Sequence, residues 1–110
     1  MTIITDKSKY GNELHLYLET GMCRLTISPK CPAVAFLSTV VVDEAHRRQG
    51  VGNALLVAAE KTAKQNGCNV MTLQTETGWT MGWYARHGFT VVGEGYEDDM
   101  VLMSKPLQIS

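Results

Sequence analysis

The stretch of this sequence best suited to chemistry is Arg47-Arg48-Gln49-Gly50-Val51-Gly52, which stands at the head of an apolar run of helical spacing. A helix N-terminus leaves its first backbone N–H groups without partners, and the aligned peptide dipoles make that end positive. Two glycines keep side chains clear of those amides, and two guanidinium groups add charge-assisted donors. Such a combination suits a phosphate or a diphosphate. The competing reading is a turn whose glycines only relieve backbone strain beside solvated arginines, and the glycines alone do not separate the two. A Walker loop would need lysine and a hydroxyl after the last glycine, but Asn53 and Ala54 follow Gly52. A dinucleotide fingerprint would need a third glycine where Leu55 stands, although the acidic Glu76 does end the following strand. The chain is also short for that fold.

Other residues with chemical potential are scattered. Glu76 is the best candidate for a base; it also reads as a solvated strand-end carboxylate. His15 and Glu19 fall on one face of an early strand at i and i+4 and read equally as acceptor-side residues or as plain surface. His46 is expected beside the glycine loop, and His87 exposed on its helix. Trp79 and Trp83, spaced i and i+4, share a helical face and read as core or dimer packing. Cys23, Cys31 and Cys68 are odd in number and form no C-x-x-C pair. They point to neither a metal nor a disulfide, and read as buried or half-buried small hydrophobes.

The elements that must position these residues follow from periodicity. "ELHLYLE" (13–19) and "MCRLTIS" (22–28) alternate apolar and polar residues around Thr20-Gly21 and read as a hairpin. Only a dozen residues precede it. "AVAFLSTVVV" (33–42) is β-branched and apolar, as a central strand is. The helix from Val51 is nearly apolar all round in its first half, so that half should be buried. Lys61 and Lys64 suit its negative end, and Gly67 is its expected stop. "CNVMTLQT" (68–75) is the next strand, parallel to the last through a right-handed crossover. "TGWTMGWYARHGF" (77–89) is a short amphipathic helix ended by Gly88. "TVVG" (90–93) and "MVLMS" (100–104) close the sheet as an antiparallel pair around the acidic "EGYEDD". The result is α+β, with a mixed central sheet and the order β-β-β-α-β-α-β-β.

Composition narrows the function. The 110 residues make one domain, 1–110, with a small core. A formal net charge of −1 without a basic tail speaks against nucleic acid as a partner. No apolar run is long enough to span a membrane, and MTIITDKSKY lacks the regions of a signal peptide, so a cytoplasmic location is expected.

"VVDEAHRRQGVGNALL" resembles the acyl-CoA-binding motif of the GCN5-related N-acetyltransferase (GNAT) family, Q/R-x-x-G-x-G/A, carried here by Arg47 to Gly52. Tyr84-Ala85-Arg86-His87-Gly88-Phe89 resembles the family's Y-x-x-x-G-F, and "DDMVLMSKPL" its closing strand. Together these cover roughly residues 36 to 107. The resemblance implies a GNAT-like domain whose sheet splays at the acyl-CoA site. Acetyl-CoA would be the cosubstrate, its pantetheine arm along the backbone of Val41 and Val42. Its pyrophosphate would sit on the amides of Arg48, Gln49, Gly50, Val51 and Gly52, with Arg47 close by. Tyr84 would protonate the leaving thiolate. A primary amine, small or on a protein, would attack the thioester directly, with a backbone amide steadying the oxyanion and a base removing the proton. Family members carry two helices ahead of the hairpin that wall the acceptor pocket, and a dozen residues cannot form them. An open acceptor side or a homodimer would follow. The alternative is a non-catalytic acyl-CoA-binding module that regulates a partner protein; a nucleotide-binding protein is a third reading.

Overall fold

The computed structural model describes residues 2–8, 11–18, 20–43 and 50–107. The strands are β1 (Thr2–Ser8), β2 (Gly11–Leu18), β3 (Gly21–Ile27), β4 (Val34–Val42), β5 (Val70–Glu76), β6 (Thr90–Glu94) and β7 (Met100–Pro106). Helix α1 (Val51–Gln65) lies between β4 and β5, and α2 (Trp79–Arg86) between β5 and β6. The expected class and order hold from β2 onward. One strand more, β1, precedes them. Its sequence, TIITDKS, has little alternation to announce it. It becomes a strand by pairing antiparallel with β2, Thr2 opposite Tyr17 and Ser8 opposite Gly11.

The described residues form one seven-stranded sheet in the order β1-β2-β3-β4-β5-β7-β6. Only β4 and β5 are parallel neighbours. β5 and β6 both run antiparallel to β7, so they are parallel to each other. Both crossovers therefore step the same way across the sheet, and right-handed connections put α1 and α2 on one face. The burial pattern agrees. Leu14, Leu25, Leu37, Leu73 and Met103 lie opposite one another on five successive strands, and all are buried. One residue along, Thr26, Phe36, Thr72 and Ser104 form a row on the other face and are half-buried. No described helix covers that second face.

α1 lays Leu55, Leu56, Ala59 and Ala63 on the sheet. Its first half is not buried all round, as the apolar sequence suggested: Ala54 and Val57 face solvent, because a helix lying on a sheet covers only one of its own sides. Gly67, at φ +84, turns the chain after α1 as expected. Cys23 and Cys68 are buried, but Cys31 is exposed in the β3–β4 turn.

β4 and β5 are paired only from Val34–Val70 to Leu37–Leu73. β4 continues to Val42 and β5 to Glu76, where β5 remains paired with β7 as far as Met100. The two strands thus part after Leu37, as the resemblance implied. The β3–β4 register also shifts between Met22 and Arg24, which bends β4 where it leaves β5.

Candidate active site

The gap left by β4 and β5 opens into a cleft of about 900 Å³ on the helix side. Its walls are the end of β4 (Val40, Val41, Val42), the start of α1 (Gly50, Gly52, Asn53) and one face of α2 (Trp79, Thr80, Trp83, Tyr84, His87). Each wall is placed by the fold. Beyond Leu37 the edge of β4 has no strand beside it, so backbone groups there are available to a ligand. α2 turns the i, i+4 pairs Trp79–Trp83 and Thr80–Tyr84 toward β4.

The start of α1 has the features that suit an anion. Gly50 is its N-cap in the left-handed conformation, φ 81, with no side-chain cap and no acidic residue in the first turn. A glycine N-cap costs only a few tenths of a kcal/mol against a capping side chain. Burial of Leu55 and Leu56 contributes roughly 3–6 kcal/mol, which far exceeds it. Packing therefore holds α1 in place, and among the described residues none caps its first-turn amides. A Cβ on Gly50 would meet nothing within 4 Å, so its positive φ is what calls for glycine. Gly52 differs: a Cβ there would stand 3.5 Å from the Trp83 ring and 4.0 Å from Val42. These are ordinary contact distances, so a methyl group would fit and only a larger side chain would crowd the space between α1, α2 and β4.

Tyr84 lies at the base of the cleft and is buried. Its ring packs edge-on against Trp83 (5.0 Å between centroids) and Phe89 (5.6 Å). Burial, and then the neighbouring Cys23 thiol, raise its phenol above the ordinary tyrosine value. The hydroxyl is held in its proton-bearing form. At the other end of α2, His87 Nδ1–H donates to the Trp83 carbonyl (2.8 Å), and Nε2 meets the Asn53 carboxamide at 3.0 Å. His87 also lies against the Trp83 ring at 4.3 Å. This chain of contacts ties the end of α2 to the first turn of α1 across the cleft.

The structure thus brings Val41, Val42, Gly50, Gly52 and Tyr84 to one cleft. Val51 is half-buried and packs on the core instead of lining the cleft. Glu76 is exposed at the end of β5 and is not part of the cleft wall; the alternation of β5 turns it to the uncovered face. Arg47, Arg48 and Gln49 lie outside the described residues, as do His46 and Glu19. Two expectations are corrected. His87 is not a free surface residue but half-buried in the cleft wall, because Asn53 reaches it from α1. The two tryptophans do not share one environment: Trp83 packs against the core above Gly52, as expected, whereas Trp79 is 76% exposed at the rim. Sequence reasoning passed over Asn53, Thr80 and Val40. The i, i+4 spacing of 79, 80, 83, 84 and 87 was the one signal that could have joined the α2 residues into a single wall.

An open glycine turn, the free end of β4 and a buried tyrosine thus line one cleft. Comparison with known proteins gives the family. Residues 15–89 match the Acetyltransferase (GNAT) family, and the chain belongs to it. Its fold implies an acyl-CoA cosubstrate and an acceptor. Among curated proteins no match is found. Among solved structures, the chain is similar to a proposed acyl-CoA N-acyltransferase from Klebsiella pneumoniae subsp. pneumoniae (26% identity, TM-score 0.73, 88% of this chain and 72% of that one). It is also similar to a proposed N-acetyltransferase from Lactobacillus plantarum (29%, TM-score 0.73, 88% and 69%). The ribosomal-protein-S18-alanine N-acetyltransferase from Escherichia coli shares the fold at 18% identity (TM-score 0.72, 94% and 73%).

Proposed function

We propose that the protein is an N-acetyltransferase that moves the acetyl group of acetyl-CoA directly to a primary amine. The observation that carries this reading is the position of Tyr84, a buried phenol in the same cleft as the open turn of α1 and the free edge of β4. The cosubstrate supplies an activated acyl group as a thioester. The chain supplies the rest. The first-turn amides of α1 at Gly50, Val51 and Gly52, with Arg47, Arg48 and Gln49 ahead of them, hold the diphosphate. The backbone of Val41 and Val42 holds the pantetheine arm in the gap. As the amine nitrogen bonds to the acyl carbon, the carbon–sulfur bond breaks. One proton leaves nitrogen, and the Tyr84 hydroxyl gives one to the sulfur. Glu76, at the end of β5, is the candidate to take the amine proton through water.

A thiol-release assay over amines, polyamines, amino acids and peptides tests this. Acetyl-CoA with an acceptor should liberate free CoA. Binding of acetyl-CoA without turnover on any acceptor would favour the regulatory acyl-CoA-binding module.

A further inference from the structure

On the uncovered sheet face, one cation has no partner among the described residues. Arg24, in the middle of β3, is half-buried there, and its Nε is enclosed with no hydrogen-bond partner. Among the described residues the ion pair that forms is Lys105 with Glu60 (2.7 Å), joining β7 to α1; none is made by Arg24. A guanidinium nitrogen enclosed without a partner is costly unless a ligand completes its group.

Its place in the sheet says which ligand. Arg24 lies opposite Ser38, the first β4 residue after pairing with β5 ends at Leu37–Leu73. It is therefore one strand, about 4.8 Å, from the lip of the gap. On the far lip β5 presents Gln74 and Glu76, which alternate with the buried Leu73 and Thr75 and so share the face of Arg24. Gln74 Oε1 accepts a hydrogen bond from the Tyr96 backbone N–H (2.8 Å), which draws the β6–β7 turn to that lip. The turn brings Glu97, Asp98 and Asp99, all exposed. Where the two strands part, the face opposite the cleft thus carries a cation beside β4 and carboxylates on the β5 side.

We infer that the acceptor is a primary amine that also bears a carboxylate, of the amino-acid type, and that Arg24 is the anchor for that carboxylate. The inference rests on the acyl-transfer reading above. The ammonium end is drawn to the Glu76 lip and, once it loses a proton there, reaches the gap. The carboxylate bonds to the guanidinium, a geometry that arginine meets with two parallel donors. Amines lacking the carboxylate leave Arg24 unmatched and are poor acceptors.

The test needs no turnover. N-acetylalanine, which has the form of such a product, and its uncharged primary amide are titrated into isotope-labelled protein and followed by NMR. The acid should bind about tenfold to a hundredfold more tightly than the amide, the usual size of a charge-assisted bond, and should shift amides around Arg24 and Ser38. Arg24→Met should erase that preference, and Arg24→Lys should keep part of it. Equal affinity for the two ligands, no binding of the acid, or a preference that survives Arg24→Met would overturn the inference. If Arg24→Met fails to fold, the wild-type comparison and Arg24→Lys still decide. Calorimetry with acetyl-CoA is run alongside: its failure tells against the acyl-transfer reading, while intact acetyl-CoA binding without a carboxylate preference tells against Arg24 alone.

Discussion

Tyr84 and Cys23 lie near each other beneath the cleft, both buried, and their proton affinities move the same way for the same reason. Burial disfavours the charged form, so the Cys23 thiol is pushed up to about 11 and the Tyr84 phenol above its ordinary value. A tyrosine raised in this way keeps its proton across the neutral range, so it enters the reaction as a donor and not as a base. Tyr84→Phe keeps the ring and its contacts with Trp83 and Phe89. It should therefore lower kcat by about 10²–10⁴-fold, the range of general acid catalysis, and leave acetyl-CoA affinity and Tm nearly unchanged. Wild-type turnover would reduce Tyr84 to packing. Cys23 gives a prediction about stability. Its folded value is raised, so the folded state holds a proton that the unfolded chain releases first. That stabilisation is whole below pH 9 and is lost as pH rises from 9.0 toward about 11. Thermal melts from pH 8 to 11 should show a steeper loss of Tm in the wild type than in Cys23→Ala. Parallel curves would remove Cys23 as the cause.

Helix and strand ends decide the width of the cleft, and glycines decide how closely they approach. Gly21 reads in the sequence as the turn of the β2–β3 hairpin, which it is, but its tightest constraint comes from elsewhere. A Cβ there would stand 2.7 Å from the Val41 carbonyl, 3.1 Å from Leu55 and 3.2 Å from Val51. Gly21→Ala must push the end of β4 against the start of α1. Overpacking of this kind costs about 1–3 kcal/mol, so Tm should fall by several degrees and acetyl-CoA affinity should fall with it. Unchanged affinity would show that the Val41 backbone does not hold the ligand. No local pattern reveals such a residue, because the three contacts come from chain segments 20 to 34 positions away. The same holds for His87: its role depends on Asn53 in another helix. By contrast α1, α2 and the strands from β2 onward were legible, since each carries its own periodicity and glycine stops. The glycine turn was legible too, as a helix start with bare backbone. β1 was not, because its conformation comes from its partner.

Across the whole molecule, one face of the sheet lies under α1 and α2, and no described helix lies on the other. Tyr17, Met22, Phe36 and Leu102 are half-buried on that second face, and Ile4, opposite His15, is exposed on its edge strand. Apolar surface of this kind favours association, and a two-fold pair is the commonest form. Light scattering at tens of micromolar should give the mass of a dimer; a monomer mass would count against it. The parallel β4–β5 pair and its crossover could be foreseen from the order of elements, but the extent of the uncovered face became visible only when every row was placed. Acetyl-CoA is expected in this cleft with its diphosphate on the turn at Gly50–Gly52. Calorimetric titration of acetyl-CoA into the wild type and into Gly52→Val tests it most directly, since valine adds bulk where a Cβ already stands 3.5 Å from Trp83. One site per chain in the wild type, and its loss in a variant that still melts cooperatively, is the predicted result. Equal affinity in the two proteins, or no binding to either, would contradict it.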